Sequence, residues 1–325
     1  MGLWNVGVDE LANSRFAISP LAESVGALAV LHRGAPGPTL GAWRQEHLTA
    51  YRERIADPAD AAVVDAVLRP KWIADFVALP PDPADKGIAD ELARMRATPA
   101  TRAHEDVLAA AQGRRLDALH AIDLVQHISD VLEWVWTHTV RPDWPRRRRL
   151  LEADIVARTS RLTSGGWAAA LDDLRPGMRW LGNGRLQINA YDYPPADLAG
   201  AQLAFVPCTT ATSGWVAWSK PHSYAVVYPC VGVLAEADTV LAPQPLSRLL
   251  GAARATVLTA LRTPASTSQL VALTGSPLGS VGGHLAVLRD AGLVQRRRAG
   301  RSVLYFRTRA GDSVVAAAAP VDPLP

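Results

Sequence analysis

The feature that most limits how this chain can fold lies near its C-terminus, where basic and apolar residues are interleaved. The stretch LRDAGLVQRRRAGRSVLYFRT, residues 288–308, holds six arginines and one acid. Over residues 246–310 ten arginines stand against a single acid, Asp290, although the 325-residue chain has a net charge of only +3. A disordered basic tail would not need Val303 and Phe306 at strand positions. Because the run APQP at 242–245 is typical of a linker, we predict a separate, folded basic domain after it.

Hydrophobic periodicity in this domain predicts three helices, over 246–262, 266–274 and 277–291. Ser266 or Thr267 would cap the second helix, and Gly275 would end it. In the third helix the apolar residues fall on one stripe, as expected for a helix with one buried side. The two runs on either side of Ala299-Gly300 predict a β-hairpin.

Two helices joined by a short turn and followed by a basic hairpin predict a winged helix-turn-helix. In that fold the second of the two helices enters the DNA major groove and the hairpin, or wing, contacts the flanking backbone. A solvated surface hairpin and a protein-binding module are the alternatives. The candidate DNA-binding residues are Ser266, Thr267, Gln269, Ser280, Gly282, Gly283, His284, Arg289, Arg296, Arg297, Arg298 and Arg301.

The domain also resembles a known family. The opening LLGAAR, the later LTG, the run HLAVLRDAGLV and the wing RRRAGRSVLYF are similar to the winged helix-turn-helix of ArsR-type bacterial repressors. The likeness covers about a fifth of the chain and implies a dimeric DNA-binding regulator that represses transcription. The N-terminal RFAISPLAE and YPCVGV resemble, more loosely, the uncharacterised domain that precedes such a module in some actinobacterial regulators.

The third helix departs from that family in having three glycines within LGSVGGH, residues 278–284. Three glycines cost a helix roughly 2–3 kcal/mol relative to alanine, and they provide no donors or acceptors for base edges. Either the backbone approaches DNA closely, or base reading is limited. We favour limited reading, in which Ser280, His284 and Arg289 provide the specificity and the wing arginines contact phosphates.

The rest of the chain predicts a large mixed N-terminal domain, so the fold class is α+β. A helix is expected over 20–32, a loop around Pro80–Pro83, and mostly helical structure from 86 to 174. After Pro176-Gly177 short β-branched and aromatic runs predict strands, with a hairpin turn at Asn183-Gly184. We therefore divide the chain into a regulatory and dimerisation domain, 1–241, and a DNA-binding domain, 246–312.

Two groups of residues in the N-terminal domain have metal-ligand chemistry. Cys208 and Cys230 could form a redox pair or share a metal, but small buried cysteines are the favoured interpretation. His120, Asp123, His127 and Asp130 follow one another along a helix and could bind zinc. A hydrogen-bonded surface is favoured for them, and we predict no metal and no cofactor.

Aromatic residues are the best sign of a ligand site in this domain. Many of the ten tryptophans fall between the helical middle and the strand region, where tyrosines are also frequent. Such side chains would form an apolar pocket with polar contacts at a few points. The predicted lining residues are Trp134, Trp180, Trp215, Trp218, His222, Tyr224 and Tyr228.

No catalytic constellation is evident in the sequence. The glycines of the third predicted helix lack the Gly-Lys-Ser/Thr ending of a phosphate loop, and no nucleophile elbow or His-Glu-x-x-His run occurs. No signal peptide and no apolar span of membrane length is present, and two cysteines suit a reducing cytoplasm. We therefore expect a cytoplasmic homodimer that binds an operator in double-stranded DNA and responds to a small-molecule effector, acting as a repressor. An enzyme or a protein-binding adaptor that carries a winged-helix module is the alternative.

Overall fold

The computed structural model describes residues 2–34, 38–69, 72–111, 119, 121–171, 174–189, 195–219, 221–230, 242–261, 265–299 and 302–318. The chain divides into two compact units. The first comprises Met1–Leu151 and Ser164–Val233, and the second comprises Glu152–Thr163 and Leu234–Pro325. Helices and small sheets occur together, so the fold is α+β.

The first unit contains most of the helices. They are α1 (Val8–Ala12), α2 (Pro20–Arg33), α3 (Pro38–Arg54), α4 (Pro58–Val67), α5 (Ile88–Arg96), α6 (Ala100–Ala111) and α7 (Leu124–Val135). A π-helical turn, Trp136–Val140, and a 3-10 turn, Arg141–Asp143, connect α7 to α8 (Trp144–Leu171). The segment Glu152–Thr163 of α8 belongs to the second unit. No helix among the described residues combines the length and the apolarity needed to cross a membrane.

The strands of the first unit form small sheets. They are β1 (Leu3–Asn5), β2 (Arg15–Phe16), β3 (Leu68–Arg69), β4 (Trp72–Ile73), β5 (Arg179–Gly182), β6 (Arg185–Gln187), β7 (Ala196–Asp197), β8 (Gln202–Cys208), β9 (Trp215–Ser219) and β10 (Ser223–Pro229). One sheet has the order β5-β6-β1-β7, another has the order β2-β8-β10-β9, and β3 pairs with β4.

The predicted turn at Asn183-Gly184 is confirmed, since β5 and β6 pair antiparallel around it and both residues have positive φ. In the other sheet the two most buried strands, β8 and β10, pair in parallel, with β9 antiparallel beside β10. Strands buried on both faces are typical of parallel pairing, and the sequence did not distinguish this arrangement from a series of hairpins.

Helix α2 lies at the centre of the first unit. Ser19 caps it by accepting a hydrogen bond from the Ala22 N–H, and Pro20 occupies the first turn. Nearly every residue from Leu21 to Leu31 is buried, and α2 packs against α3, α5, α7 and β8. The predicted helix over 20–32 is confirmed, and its burial on all sides identifies it as the core of this unit.

A buried ion pair attaches α8 to this core. Arg147 Nη1 donates to Glu23 Oε2 at 3.1 Å and to Thr209 Oγ1 at 3.0 Å. The Thr209 N–H donates to Glu23 Oε1 at 2.5 Å. All three side chains are fully buried, so this network fixes the end of β8 and the loop after it against α2.

The second unit contains the predicted C-terminal domain. Its elements are α9 (Gln244–Leu250), α10 (Ala252–Ala260), α11 (Thr267–Thr274), α12 (Leu278–Asp290), β11 (Val294–Ala299), β12 (Ser302–Arg307) and α13 (Arg309–Ala317). The single helix predicted over 246–262 is wrong. Gly251 has φ +83 and divides the segment into α9 and α10, because only glycine adopts this conformation without strain. The hairpin predicted around Ala299-Gly300 is confirmed by the antiparallel register of β11 and β12.

Candidate nucleic-acid interface and internal cavity

The hairpin of β11 and β12 carries three consecutive exposed arginines. Arg296, Arg297 and Arg298 are exposed and form no salt bridge within the described part of the chain. In the register they lie opposite Tyr305, Leu304 and Val303. Since successive strand residues point to opposite faces, Arg296 and Arg298 share one face and Arg297 lies on the other.

The hairpin is anchored through β12. Tyr305 donates its N–H to the Ala265 carbonyl at 2.8 Å and accepts the Ala265 N–H at 3.0 Å. Val294 is buried, and Tyr305 packs against the core formed by α10, α11 and α12. The packed core therefore holds the hairpin in place, and the three arginines remain accessible to a polyanion.

Helix α12 presents a smooth exposed side. Val281, Leu285 and Leu288 are buried, as the stripe predicted. Gly279, Gly282 and Gly283 face open space, and a Cβ built on any of them would meet no atom within 4 Å. Packing within this unit therefore does not require these glycines.

The polar residues predicted for α12 make local contacts. The Ser280 hydroxyl lies 3.1 Å from His284 Nε2, and Arg289 Nη2 lies 3.2 Å from Asp290 Oδ1. Ser280, His284 and Arg289 all retain exposed surface. They are therefore accessible as donors or acceptors.

The remaining DNA-binding candidates are Ser266, Thr267, Gln269 and Arg301. Ser266 and Thr267 are half-buried at the start of α11, where the Ser266 carbonyl accepts from the Leu270 N–H. Arg301 and the side chain of Gln269 lie outside the described residues.

A cavity of about 470 Å³ lies within the first unit. Helix α2 contributes Val30 and Arg33, the β3–β4 ribbon contributes Arg69 and Trp72, and the loop after β8 contributes residues 210–214. Trp4 on β1 and Tyr224 on β10 complete two of its walls, with their rings edge to face at 5.3 Å. Sites for small molecules commonly have volumes of ~300–1,000 Å³ and aromatic walls, and this cavity has both properties.

Close backbone approach gives the cavity its shape. A Cβ on Gly26 would lie 2.5 Å from Thr210 Oγ1 and 2.9 Å from Cys208 Sγ, so glycine lets β8 pack directly on α2. Gly214 has φ +68, and a Cβ there would lie 2.1 Å from the Val227 carbonyl oxygen. Larger residues at either position would displace the loop that lines the cavity.

Three of the seven predicted pocket residues line this cavity: Trp215, Trp218 and Tyr224. The other four do not line it. Trp134 on α7 stacks on His138 and packs on the helical core, and Trp180 packs against the sheet. His222 is exposed in the turn between β9 and β10, and Tyr228 is fully buried.

The sequence did not indicate the charged residues of the cavity. Arg33, Arg69, Arg175 and Asp75 line it, but no spacing pattern connects residues that lie so far apart in the chain. Asp75 Oδ2 accepts the Trp218 Nε1–H at 2.5 Å. Arg175 donates from Nε to the Ser213 carbonyl and from Nη2 to the Gly214 carbonyl, both at 3.3 Å.

Cys208 is the last residue of β8 and Cys230 directly follows β10, and their thiols contact different carbonyls. The Cys230 N–H donates to the Cys208 carbonyl at 3.0 Å. Cys208 Sγ contacts the Ala22 carbonyl at 3.6 Å, whereas Cys230 Sγ contacts the Leu150 carbonyl at 3.7 Å. Neither forms a disulfide, both are buried, and burial raises the pKa of the Cys208 thiol. These contacts suit small core residues better than a thiolate sensor.

The histidine-containing stripe mainly stabilises α7. Asp123 caps the helix by accepting from the Gln126 N–H, and Asp130 accepts from the Gln126 side chain. His127 Nδ1 lies 2.7 Å from Asp60 Oδ1. Burial raises the pKa of Asp60, but hydrogen bonds from His127 and Arg54 outweigh that effect and lower it.

His120 lies outside the described residues. Within the part of the chain that the structure describes, no cluster of His, Cys, Asp and Glu has the geometry of a metal site.

Comparisons of this chain with models of protein families, with curated proteins and with solved structures found no match.

Proposed function

We propose that this chain is a DNA-binding transcriptional regulator. In this proposal α10, α11, α12 and the β11–β12 hairpin form a winged helix-turn-helix, with α12 as the recognition helix and the hairpin as the wing. The observation that carries the proposal is the row Arg296–Arg298, exposed and unpaired within the described residues, on a hairpin anchored to the α10–α12 core. Arginines in such a position neutralise backbone phosphates and provide affinity for any duplex.

Sequence specificity is assigned to few side chains. Ser280 and His284 on the exposed side of α12, with Arg289 at its end, are the groups that can reach base edges. The bare backbone at Gly282 and Gly283 adds no donor or acceptor side chain. We therefore infer a regulator that binds many duplexes appreciably and its operator with moderate selectivity.

The regulator is proposed to act as a cytoplasmic homodimer on a pseudo-palindromic operator, because a two-fold protein matches two half-sites. Its effector would bind in the 470 Å³ cavity of the first unit. Such a ligand regulates DNA binding only if its affinity differs between the DNA-competent and DNA-incompetent conformations. Repression is proposed from the sequence resemblance alone.

The proposal is tested by incubating the full chain with sheared DNA of the source genome, recovering the bound fragments and sequencing them. Enrichment of a few promoter regions that share an inverted repeat supports a sequence-specific regulator. Recovery without any enriched site would contradict sequence specificity. Absence of bound DNA at low salt would contradict DNA binding altogether.

A further inference from the structure

The cavity of the first unit has an excess of positive charge. Arg33, Arg69 and Arg175 line it, and Asp75 is the single acid among the lining residues that the structure describes. That acid already accepts a hydrogen bond from Trp218. A cavity with this balance of charge favours an anion over a neutral or cationic ligand.

Two of these arginines have no acidic partner in the described part of the chain. Neither Arg33 nor Arg69 forms a salt bridge with any residue that the structure describes. Arg33 instead donates to the main-chain carbonyl of Arg69, which ties the end of α2 to β3. Arg69 Nε is buried and has no hydrogen-bond partner among the described residues. Buried polar groups are normally hydrogen-bonded, so this donor is explained if a ligand provides the acceptor.

Aromatic side chains also line the cavity, and contacts with one another and with Asp75 hold them in place. Trp72 and Trp218 pack edge to face with their centroids 5.8 Å apart, and the bond to Asp75 orients the Trp218 ring. Trp4 and Tyr224, both nearly fully buried, form a second edge-to-face pair. Rigid rings of this kind suit a flat aromatic ligand.

We propose that the cavity binds an organic anion that carries an aromatic ring. Its carboxylate or phosphate accepts hydrogen bonds from Arg69 and Arg33, and its ring lies among the tryptophans. Guanidinium groups match the geometry of both anions. This inference rests on the proposed function only in naming the occupant as the effector, because the binding itself needs no DNA.

The test is isothermal titration calorimetry on the full chain without DNA. Three probes share one ring system: 2-naphthoate, 2-naphthyl phosphate and the uncharged 2-naphthamide. We expect at least one anion to bind about tenfold or more tightly than the amide, since a charge-assisted hydrogen bond contributes to its binding alone. The ratio of the affinities for the two anions identifies the anionic group that the site prefers. A carboxylate site favours naphthoate, and a phosphate site favours the naphthyl phosphate.

Variants separate the charge from the aromatic walls. Arg69→Gln and Arg33→Gln should each weaken binding of the preferred anion about tenfold and leave the amide unchanged. Trp72→Leu should weaken binding of all three probes. Arg52→Gln, on the exposed face of α3 and outside the cavity, is the matched control and should change nothing.

The inference is overturned if the amide binds as tightly as both anions, or if neither anion binds at millimolar concentration. It is also overturned if anion affinity is unchanged in both arginine variants. Thermal unfolding of each variant verifies that it is folded, and either arginine variant alone suffices. Anion binding by a chain that fails to bind DNA would uphold this site and contradict the proposed regulator, so the two failures are distinguishable.

Discussion

The guanidinium of Arg147 on α8 lies 3.1 Å from the carboxylate of Glu23 on α2, and neither side chain is exposed to solvent. Two residues separated by 124 positions thus form a buried ion pair in the first unit. Thr209 also bonds to this pair, because its N–H and its hydroxyl both donate to the Glu23 carboxylate. The loop that lines the cavity begins directly after Thr209.

Breaking this pair on one side should destabilise the first unit strongly. Arg147→Met leaves the Glu23 carboxylate buried without its cation, which typically costs about 3–5 kcal/mol. Urea unfolding of the variant should show a lower midpoint than the wild type. Arg149→Met, an exposed neighbour in the same arginine run, is the control and should change the unfolding free energy by less than ~0.5 kcal/mol. Equal stability of the two variants would show that the ion pair contributes little to the free energy of unfolding.

Removing positively charged side chains from the β11–β12 hairpin should weaken binding to every duplex equally. Arg296 and Arg298 share one face of the hairpin and form no salt bridge within the described residues. The double change to alanine should make the slope of log K against log salt shallower by about two, since each phosphate contact contributes ~0.9. Fluorescence anisotropy on two unrelated duplexes measures both affinity and slope, with Arg52→Ala as a control that removes a positive charge outside the hairpin. A loss confined to one duplex would instead assign these residues to base reading.

Substituting the exposed glycines of α12 tests whether the helix backbone approaches DNA closely or whether the helix simply reads few bases. Gly282→Ala and Gly283→Ala should each stabilise the second unit by about 0.5–1 kcal/mol, because their Cβ positions are open. We expect DNA affinity to remain unchanged. A fall in affinity of tenfold or more in a more stable protein would show that the DNA backbone contacts this side directly. Gly275→Ala is the conformational control and should be destabilising, since Gly275 has φ +67.

Glu91 should make the first unit less stable as pH rises towards neutrality. Its carboxylate accepts the Leu21 N–H at 2.7 Å and is buried, and burial raises its pKa to about 7. Between the unfolded pKa of ~4.3 and the folded value, the folded state holds a proton that the unfolded state has lost. The free energy of unfolding is therefore highest below the unfolded pKa of ~4.3. It decreases as the pH rises from there through the folded pKa of about 7.

Thermal unfolding at pH 5 and pH 8 measures this effect. Glu91→Gln should lose less stability than the wild type over that range, by a difference on the order of 2–3 kcal/mol. Glu53→Gln, an exposed acid on α3, should follow the wild type. Parallel pH profiles for the wild type and Glu91→Gln would contradict the raised pKa.

Local patterns were enough to predict much of the second unit. The stripe Val281, Leu285 and Leu288 and the pairing of β11 with β12 depend on residues that are close in sequence. The break at Gly251 was missed because a glycine within an otherwise helical pattern does not reveal that its φ is positive.

Long-range contacts in the first unit could not be predicted in this way. Arg33, Arg69 and Arg175 meet at one cavity only through tertiary packing. Arg147 stands in a run of four arginines, 146–149, and no local pattern shows that it alone is fully buried, since its partner Glu23 lies far away in the chain. Three of the aromatic pocket residues were placed correctly at the cavity, since strands β9 and β10 present them there.

Titration of the full chain against a labelled duplex across a salt series tests whether it binds duplex DNA through the arginines of the β11–β12 hairpin. We expect measurable binding at low salt and a linear fall of log K with log salt, with a slope of about −3 or steeper for three or more phosphate contacts. Absence of binding to any duplex at low salt, or a slope near zero, would contradict it.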